Sequence, residues 1–258
     1  MTDSTADGLR RCSAEELSRE NALVVMLKYP EPGRVKTRLV PPLTGVEASC
    51  LYRCFIEDTF ERIMSLTRCS APDERVSIYS AFTPVERRGE ILQLLPAGIP
   101  LISQRGRGLG ERLDNIFSEL IASGYKRVVV IGSDSPDIPL EYIGEAFRLL
   151  REKPERVVLG PSEDGGYYLI GMDRANKAPF EGISWGSDTV LRETLAQCKR
   201  GAIETSLLPM WRDVDTIEDL EPLINNRHLP ATVRFINDHL GHITGDMKGS
   251  QLEVNCGK

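Results

Sequence analysis

Histidine is nearly missing from this sequence: 258 residues hold only His228, His239 and His242, all near the C-terminus. Nothing in the first 227 residues can use imidazole as a base or ligand, which leaves carboxylates, cations and a metal ion for any chemistry there. Long apolar runs are missing too, and none approaches the roughly 20 residues that a membrane helix needs. The start, Met1-Thr2-Asp3-Ser4, is polar and lacks the apolar stretch of a signal peptide, so the expected location is the cytoplasm, with no membrane partner. Excess positive charge is absent: the net charge of -6 argues against a nucleic-acid partner, although a few local cations suffice for one phosphate group. The six cysteines (Cys12, Cys50, Cys54, Cys69, Cys198, Cys256) form no Cys-x-x-Cys pair. Cys50 and Cys54 share a helix face without further ligands nearby, so reduced thiols are expected rather than a zinc site.

What is present is an alternation of short apolar runs with helical patterns. Strands are expected at Leu23–Leu27, Val76–Ala81, Ile99–Ile102, Arg127–Gly132, Val157–Leu159 and Tyr167–Ile170, with a last short strand ending at Asp213–Asp215. Helices are expected at 13–20, from Thr44 to about Leu66, and near 109–122, 140–152 and 188–198, with final turns to about Leu240. Capping boxes are read at Ser13/Glu16, Thr44/Glu47, Thr83/Glu86 and Thr216/Asp219, and Asp137 is expected to cap the helix at 140. The pattern predicts an α/β fold: one domain of three α/β/α layers with a mostly parallel sheet over 22–243. Residues 1–21 read as an extension and 244–258 as a flexible tail.

In such sheets, ligands bind beyond the C-terminal strand ends. The loop after the first strand, Lys28 to Leu39, carries four cations, two prolines and Gly33. Arginine forks and lysine point charges suit phosphate, and Lys36 and Arg38, two apart in a segment expected to be extended, are the favoured pair. Gln104-Arg105-Gly106-Arg107-Gly108-Leu109-Gly110-Glu111-Arg112 opens a helix with bare backbone amides. Its G-x-G-x-G spacing after the third strand does not match a dinucleotide fingerprint. Asp134 ends the strongest strand and is assigned to Mg²⁺, which takes a few hard oxygens plus substrate phosphates. Glu163-Asp164-Gly165-Gly166 allows close backbone approach to a ligand, or is an ordinary turn. Asp215 stands at an expected strand end, as Asp134 does, and the two form a candidate metal clamp.

Taken in order, Lys-x-Pro-x-x-Gly-x-x-Lys-Thr-Arg-Leu (28–39), Gln-x-Gly-x-Gly-Leu-Gly-x-Arg (104–112), Gly-Ser-Asp-Ser-Pro-Asp (132–137), Glu-Asp-Gly-Gly-Tyr-Tyr (163–168) and Trp-Gly-Ser-Asp (185–188) resemble the selenodomain-associated glycosyltransferase-like family. The resemblance spans about residues 22–225 and implies a glycosyltransferase-A, or nucleotide-diphospho-sugar transferase, fold. In related molybdopterin and phospholactate guanylyltransferases, an Asp-x-Pro carries one metal ligand and a late Val-Asp-Thr-x-Glu-Asp-Leu the second. The matching residues here are Asp134 and Asp215, holding Mg²⁺ with Mn²⁺ as the alternative ion. Lys36 and Arg38 match the phosphate grip, and with Asp134 they form the expected catalytic set. Lys28, Gly33, Gln104, Gly110, Arg112, Asp164, Gly165, Gly166 and Trp185 form the expected nucleotide- or substrate-binding set. The implied activity is glycosyl or nucleotidyl transfer from a nucleotide or nucleotide-sugar donor to a small-molecule acceptor. The Gly-Gly-x-Ser-x-Arg-Met loop of those guanylyltransferases is replaced here by the proline- and lysine-bearing loop, and Ser133-Asp134-Ser135 is not an Asp-x-Asp.

Two other classes compete. Gly182-Ile183-Ser184-Trp185-Gly186 matches the G-x-S-x-G elbow of serine hydrolases, with Asp213 or Asp215 and a histidine following in hydrolase order. An elbow needs a strand before its first glycine, and Asn176–Glu181 is polar and broken by Pro179. A non-catalytic nucleotide sensor would need the phosphate loop but not both carboxylates, so their joint presence favours an enzyme.

Overall fold

The computed structural model describes residues 19–68 and 74–241. The expected helix at 13–20 and the tail from 244 lie almost wholly outside them. One seven-stranded sheet runs through the chain: β1 (Asn21–Lys28), β2 (Val76–Thr83), β3 (Leu101–Ser103), β4 (Arg127–Ile131), β5 (Arg156–Pro161), β6 (Tyr167–Met172) and β7 (Glu204–Leu207). Their spatial order is β3-β2-β1-β4-β6-β5-β7. β1 pairs parallel with β2 and β4, while β6 pairs antiparallel with β4 and β5 and so runs against the rest. The expected mostly parallel α/β fold is the one observed.

Strand β1, in the interior of the sheet, shows why the fold has layers. Ala22 and Val24 join the core on one face, with Leu113, Phe117 and Leu120 of α3 (Leu109–Ala122) and Cys198 of α5 (Val190–Arg200). Leu23, Val25 and Leu27 join the core on the other face, with residues of α1 (Gly45–Ile63), α2 (Arg88–Leu94), α4 (Leu140–Glu152) and α6 (Pro230–His239). A strand covered on both faces has to be apolar at every position, which is why it reads as a continuous run. Phe55, Phe60, Phe82 and Phe117 are fully buried, each contributing roughly 1.5–3 kcal/mol of apolar transfer.

Local chemistry sets several boundaries. The Thr44/Glu47 capping box opens α1 as expected, with the Glu47 amide donating to Thr44 Oγ1 at 3.2 Å and the Thr44 amide donating to Glu47 Oε2 at 2.7 Å. The buried Asp58 carboxylate of α1 accepts from the Ala231 and Thr232 amides at 3.0 and 2.8 Å, capping α6 from a neighbouring helix.

Other boundaries differ from expectation. Thr83 is the last residue of β2 and caps nothing; a 3₁₀ turn at Val85–Arg87 precedes α2. Asp137 does not cap α4, whose N-cap is Pro139, because its carboxylate is drawn to the Arg212 guanidinium and accepts from the Trp211 indole at 3.3 Å. Asp213–Asp215 form no strand, the last strand being Glu204–Leu207. The Thr216/Asp219 pair works in the reverse sense: Asp219 Oδ2 accepts from the Asp215 and Thr216 amides at 2.9 and 2.6 Å, which fixes the loop carrying Asp215.

Candidate active site

A cleft of about 530 Å³ opens over the C-terminal ends of β1 and β4 and the start of the antiparallel β6. The loop after β1, the first turn of α3, the loop after β4, Tyr167 and Tyr168, and the segment at 213–215 form its walls. Of the residues singled out in the sequence, Lys28, Lys36, Arg38, Gln104, Arg112, Asp134 and Asp215 line it.

Lys36 and Arg38 are not in extended chain. Lys36 is left-handed (φ 46°, ψ 41°) and Thr37–Leu39 form a 3₁₀ turn. Both side chains still reach one carboxylate: Lys36 Nζ lies 3.4 Å from Asp215 Oδ1, and Arg38 Nη1 lies 3.1 Å from Asp215 Oδ2. Lys36 Nζ also pairs with Asp134 Oδ1 and donates to the Val214 carbonyl at 2.8 Å. The structure thus brings Asp134 and Asp215 together, with a buried ammonium between them.

Three groups at the site were not assigned to it from the sequence. The Tyr52 hydroxyl lies 2.6 Å from Ser133 Oγ, and its oxygen accepts from the Lys28 amide at 3.2 Å. Burial, with the nearby Asp134 charge, pushes this phenol well above its ordinary pKa. Asp213 lies beside the acid pair and accepts from Ser135 Oγ at 2.5 Å. Burial raises its carboxyl to about 6, the hydrogen bond from Ser135 opposing and the Asp134 charge adding to the shift. A buried tyrosine hydroxyl must find a partner, and that was the available signal for Tyr52. Ser133 sat inside the Gly-Ser-Asp-Ser-Pro-Asp motif beside a more conspicuous acid, and Asp213 entered only at an expected strand end and as an acid of the hydrolase alternative.

Gln104 is held by the scaffold: Nε2 donates to the carbonyls of Leu27 and Ala81 at 3.0 and 2.8 Å, tying β1 to β2, and Oε1 faces Arg112 Nη1 at 3.5 Å. The remaining expected positions stand outside the cleft lining. Gly33 turns the loop at φ 74°. Gly110 gives room to Trp185, since a Cβ there would come within 2.8 Å of the indole Nε1. Trp185 in turn packs edge-on against Tyr167. Asp164, Gly165 and Gly166 form the turn between β5 and β6, in which Asp164 Oδ1 accepts from the Gly166 amide at 3.0 Å. Gly165 has φ 88°, and a Cβ on it would lie 2.1 Å from the Asp188 carbonyl oxygen.

Among the described residues, no group of three or more His, Cys, Asp or Glu could hold a metal ion, and no helix is long and apolar enough to cross a membrane. Gly182 follows a 3₁₀ turn at Ala178–Phe180 rather than a strand, and the Ser184 amide donates to Glu193 Oε2 at 2.6 Å. The nucleophile-elbow geometry is therefore absent at Ser184.

The sequence pattern described as "Uncharacterized protein conserved in bacteria (DUF2064)" matches residues 67–187. A solved structure from Desulfovibrio desulfuricans G20, of a protein provisionally assigned as a nucleotide-diphospho-sugar transferase, is 32% identical, with 84% of this chain and 94% of that chain aligned and a TM-score of 0.74. The chain belongs to the DUF2064 family. Its fold is the nucleotide-diphospho-sugar transferase fold. A CMP:2-keto-3-deoxy-manno-octonic acid synthetase solved with CTP is 12% identical over 79% of this chain and 96% of its own, with a TM-score of 0.51, a likeness of fold alone. No curated protein matches the sequence.

Proposed function

We propose that this protein is a divalent-metal-dependent transferase that takes a nucleotide or nucleotide-sugar as donor and passes a nucleotidyl or glycosyl group to a small acceptor. The observation carrying this reading is the meeting of Asp134 and Asp215, through Lys36, in a cleft also lined by Lys28, Arg34, Arg38 and Arg112. The likeness to the structure provisionally assigned as a nucleotide-diphospho-sugar transferase supports it, as does the resemblance of the motif order to the selenodomain-associated glycosyltransferase-like group.

Asp134 and Asp215 are the residues that would hold the ion. The donor set fits Mg²⁺, which nucleotide sites hold with one or two carboxylates plus substrate phosphates, and the two side chains are 49% and 34% exposed. Bound there, the ion would supply charge neutralisation on the donor phosphates. The chain's own residues bind and orient. Arg38 and Arg112 present guanidinium forks to the donor phosphates. Tyr52 and Ser133 fix the loop carrying Asp134, and Asp219 fixes the loop carrying Asp215. Preorganised charge of this kind is the usual main source of rate in phosphoryl and related transfers.

The test is a thermal-shift screen of nucleoside triphosphates and nucleotide-sugars with Mg²⁺, followed by turnover of the best ligand. Asp134→Ala should stay folded and lose metal-dependent turnover. Near-normal turnover of that variant at saturating Mg²⁺ would sink the assignment.

A further inference from the structure

Lys36 does more in this site than line a wall. Its ammonium has three N–H groups, and three acceptors stand around them: Asp134 Oδ1, Asp215 Oδ1 at 3.4 Å and the Val214 carbonyl at 2.8 Å. The side chain is only 2% exposed and its Nζ sits 5.6 Å from the Phe55 ring centroid. The backbone holds it from the left-handed region, which a non-glycine residue adopts only where its surroundings impose it. Arg38 takes the other oxygen of Asp215. The four charged groups linked in this chain of contacts, Asp134–Lys36–Asp215–Arg38, are therefore two anions and two cations.

We propose that Lys36 is the resident counter-ion of the acid pair, and that it makes the protein admit a divalent ion only together with a phosphate chain. The proposal rests on the function given above. A compensated acid pair offers a free cation little field, since each carboxylate already shares its charge with a fixed cation a few ångströms away. A phosphate chain restores the missing negative charge and supplies further oxygens. The order of binding follows from the charge count: the ion arrives with the phosphates or after them.

Direct Mn²⁺ titration, read by the electron-spin signal of the free ion, tests this without turnover and without a nucleotide. Inorganic pyrophosphate serves as the phosphate chain. The wild-type chain should bind Mn²⁺ at least about tenfold more tightly with pyrophosphate than alone, after correction for Mn²⁺ held by pyrophosphate in solution. Lys36→Met should bind Mn²⁺ alone at least about tenfold more tightly than wild type, and Lys36→Met/Asp134→Asn should lose that gain. Wild type that binds Mn²⁺ as tightly alone as with pyrophosphate overturns the proposal, and this arm stands even if the lysine variants do not fold. A folded Lys36→Met with unchanged Mn²⁺ affinity also overturns it. Failure of every nucleotide in the thermal-shift screen, with the Mn²⁺ results as expected, would instead count against the donor assigned above.

Discussion

The Tyr52 hydroxyl, on α1, lies 2.6 Å from Ser133 Oγ, and through it a helix under the sheet holds the residue next to Asp134. The same oxygen accepts from the Lys28 amide, so one phenol fastens the C-terminal ends of two adjacent strands, β1 and β4. Tyr52→Phe would leave a buried hydroxyl and an amide without their shared partner. A loss of about 1–3 kcal/mol in urea unfolding is expected. Turnover should fall further than the stability loss explains, because the Asp134 loop is no longer fixed. A variant as stable and as active as wild type would mean that water replaces the phenol.

Arg38 is the cation of the site best placed for a ligand, with a side chain 69% exposed and its contact to Asp215 at 3.1 Å. Arg38→Ala should weaken nucleotide binding by roughly tenfold or more, the worth of one charge-assisted contact. The wild-type affinity should fall with added salt, and the variant's should fall less steeply. Lys199→Ala, on the exposed end of α5, is the control and should bind as wild type does. Equal affinities for Arg38→Ala and wild type would remove the phosphate role from this loop.

Gly165→Ala probes the β5–β6 turn. The position has a positive φ, and the added methyl would meet the Asp188 carbonyl oxygen at 2.1 Å. Backbone strain and a clash with main chain together should cost about 2 kcal/mol or more, seen as a lower urea midpoint with unchanged slope. An unchanged midpoint would show that the turn does not dock on residue 188 in solution.

Ser184→Ala should leave activity within about twofold of wild type, and a fluorophosphonate probe should not label the protein, because no strand-to-helix elbow presents Ser184. A loss of about a thousandfold, the scale on which removing a nucleophile acts, would restore the hydrolase reading.

The parts legible in the sequence were those written in local chemistry. Thr44 and Glu47 announce α1, and the apolar spacing of α3 and α4 gives both helices their observed bounds. What escaped was encoded between distant segments. Glu204–Leu207 is a half-exposed edge strand with no apolar run to betray it. The direction of β6 is not written in Tyr167–Met172, which is apolar on both faces; it shows only in the short connection from β5, too brief for a parallel crossover. Asp134 and Asp215 were read as a pair because each was placed at a strand end, which holds for Asp134 just after β4 but not for Asp215, which stands in a loop. That Lys36 lies between them was not, because its left-handed backbone departs from the extended chain that its neighbours suggest.

Lys36 and Asp215 are 179 residues apart, so the charge cluster joins an early and a late segment of the chain. In chain order, every strand of the described sheet ends by Leu207, ahead of Asp213 and Asp215. The sheet can therefore pair without the segment that forms one wall of the cleft, and without that segment Lys36 has only Asp134 as an anionic partner. Closing so long a loop is entropically unfavourable and is repaid only by contacts made at the end. A donor gripping both sides would act as a clasp on the last segment to settle, and the segment beyond Leu207 should then resist proteolysis in proportion to how fully the ligand is bound.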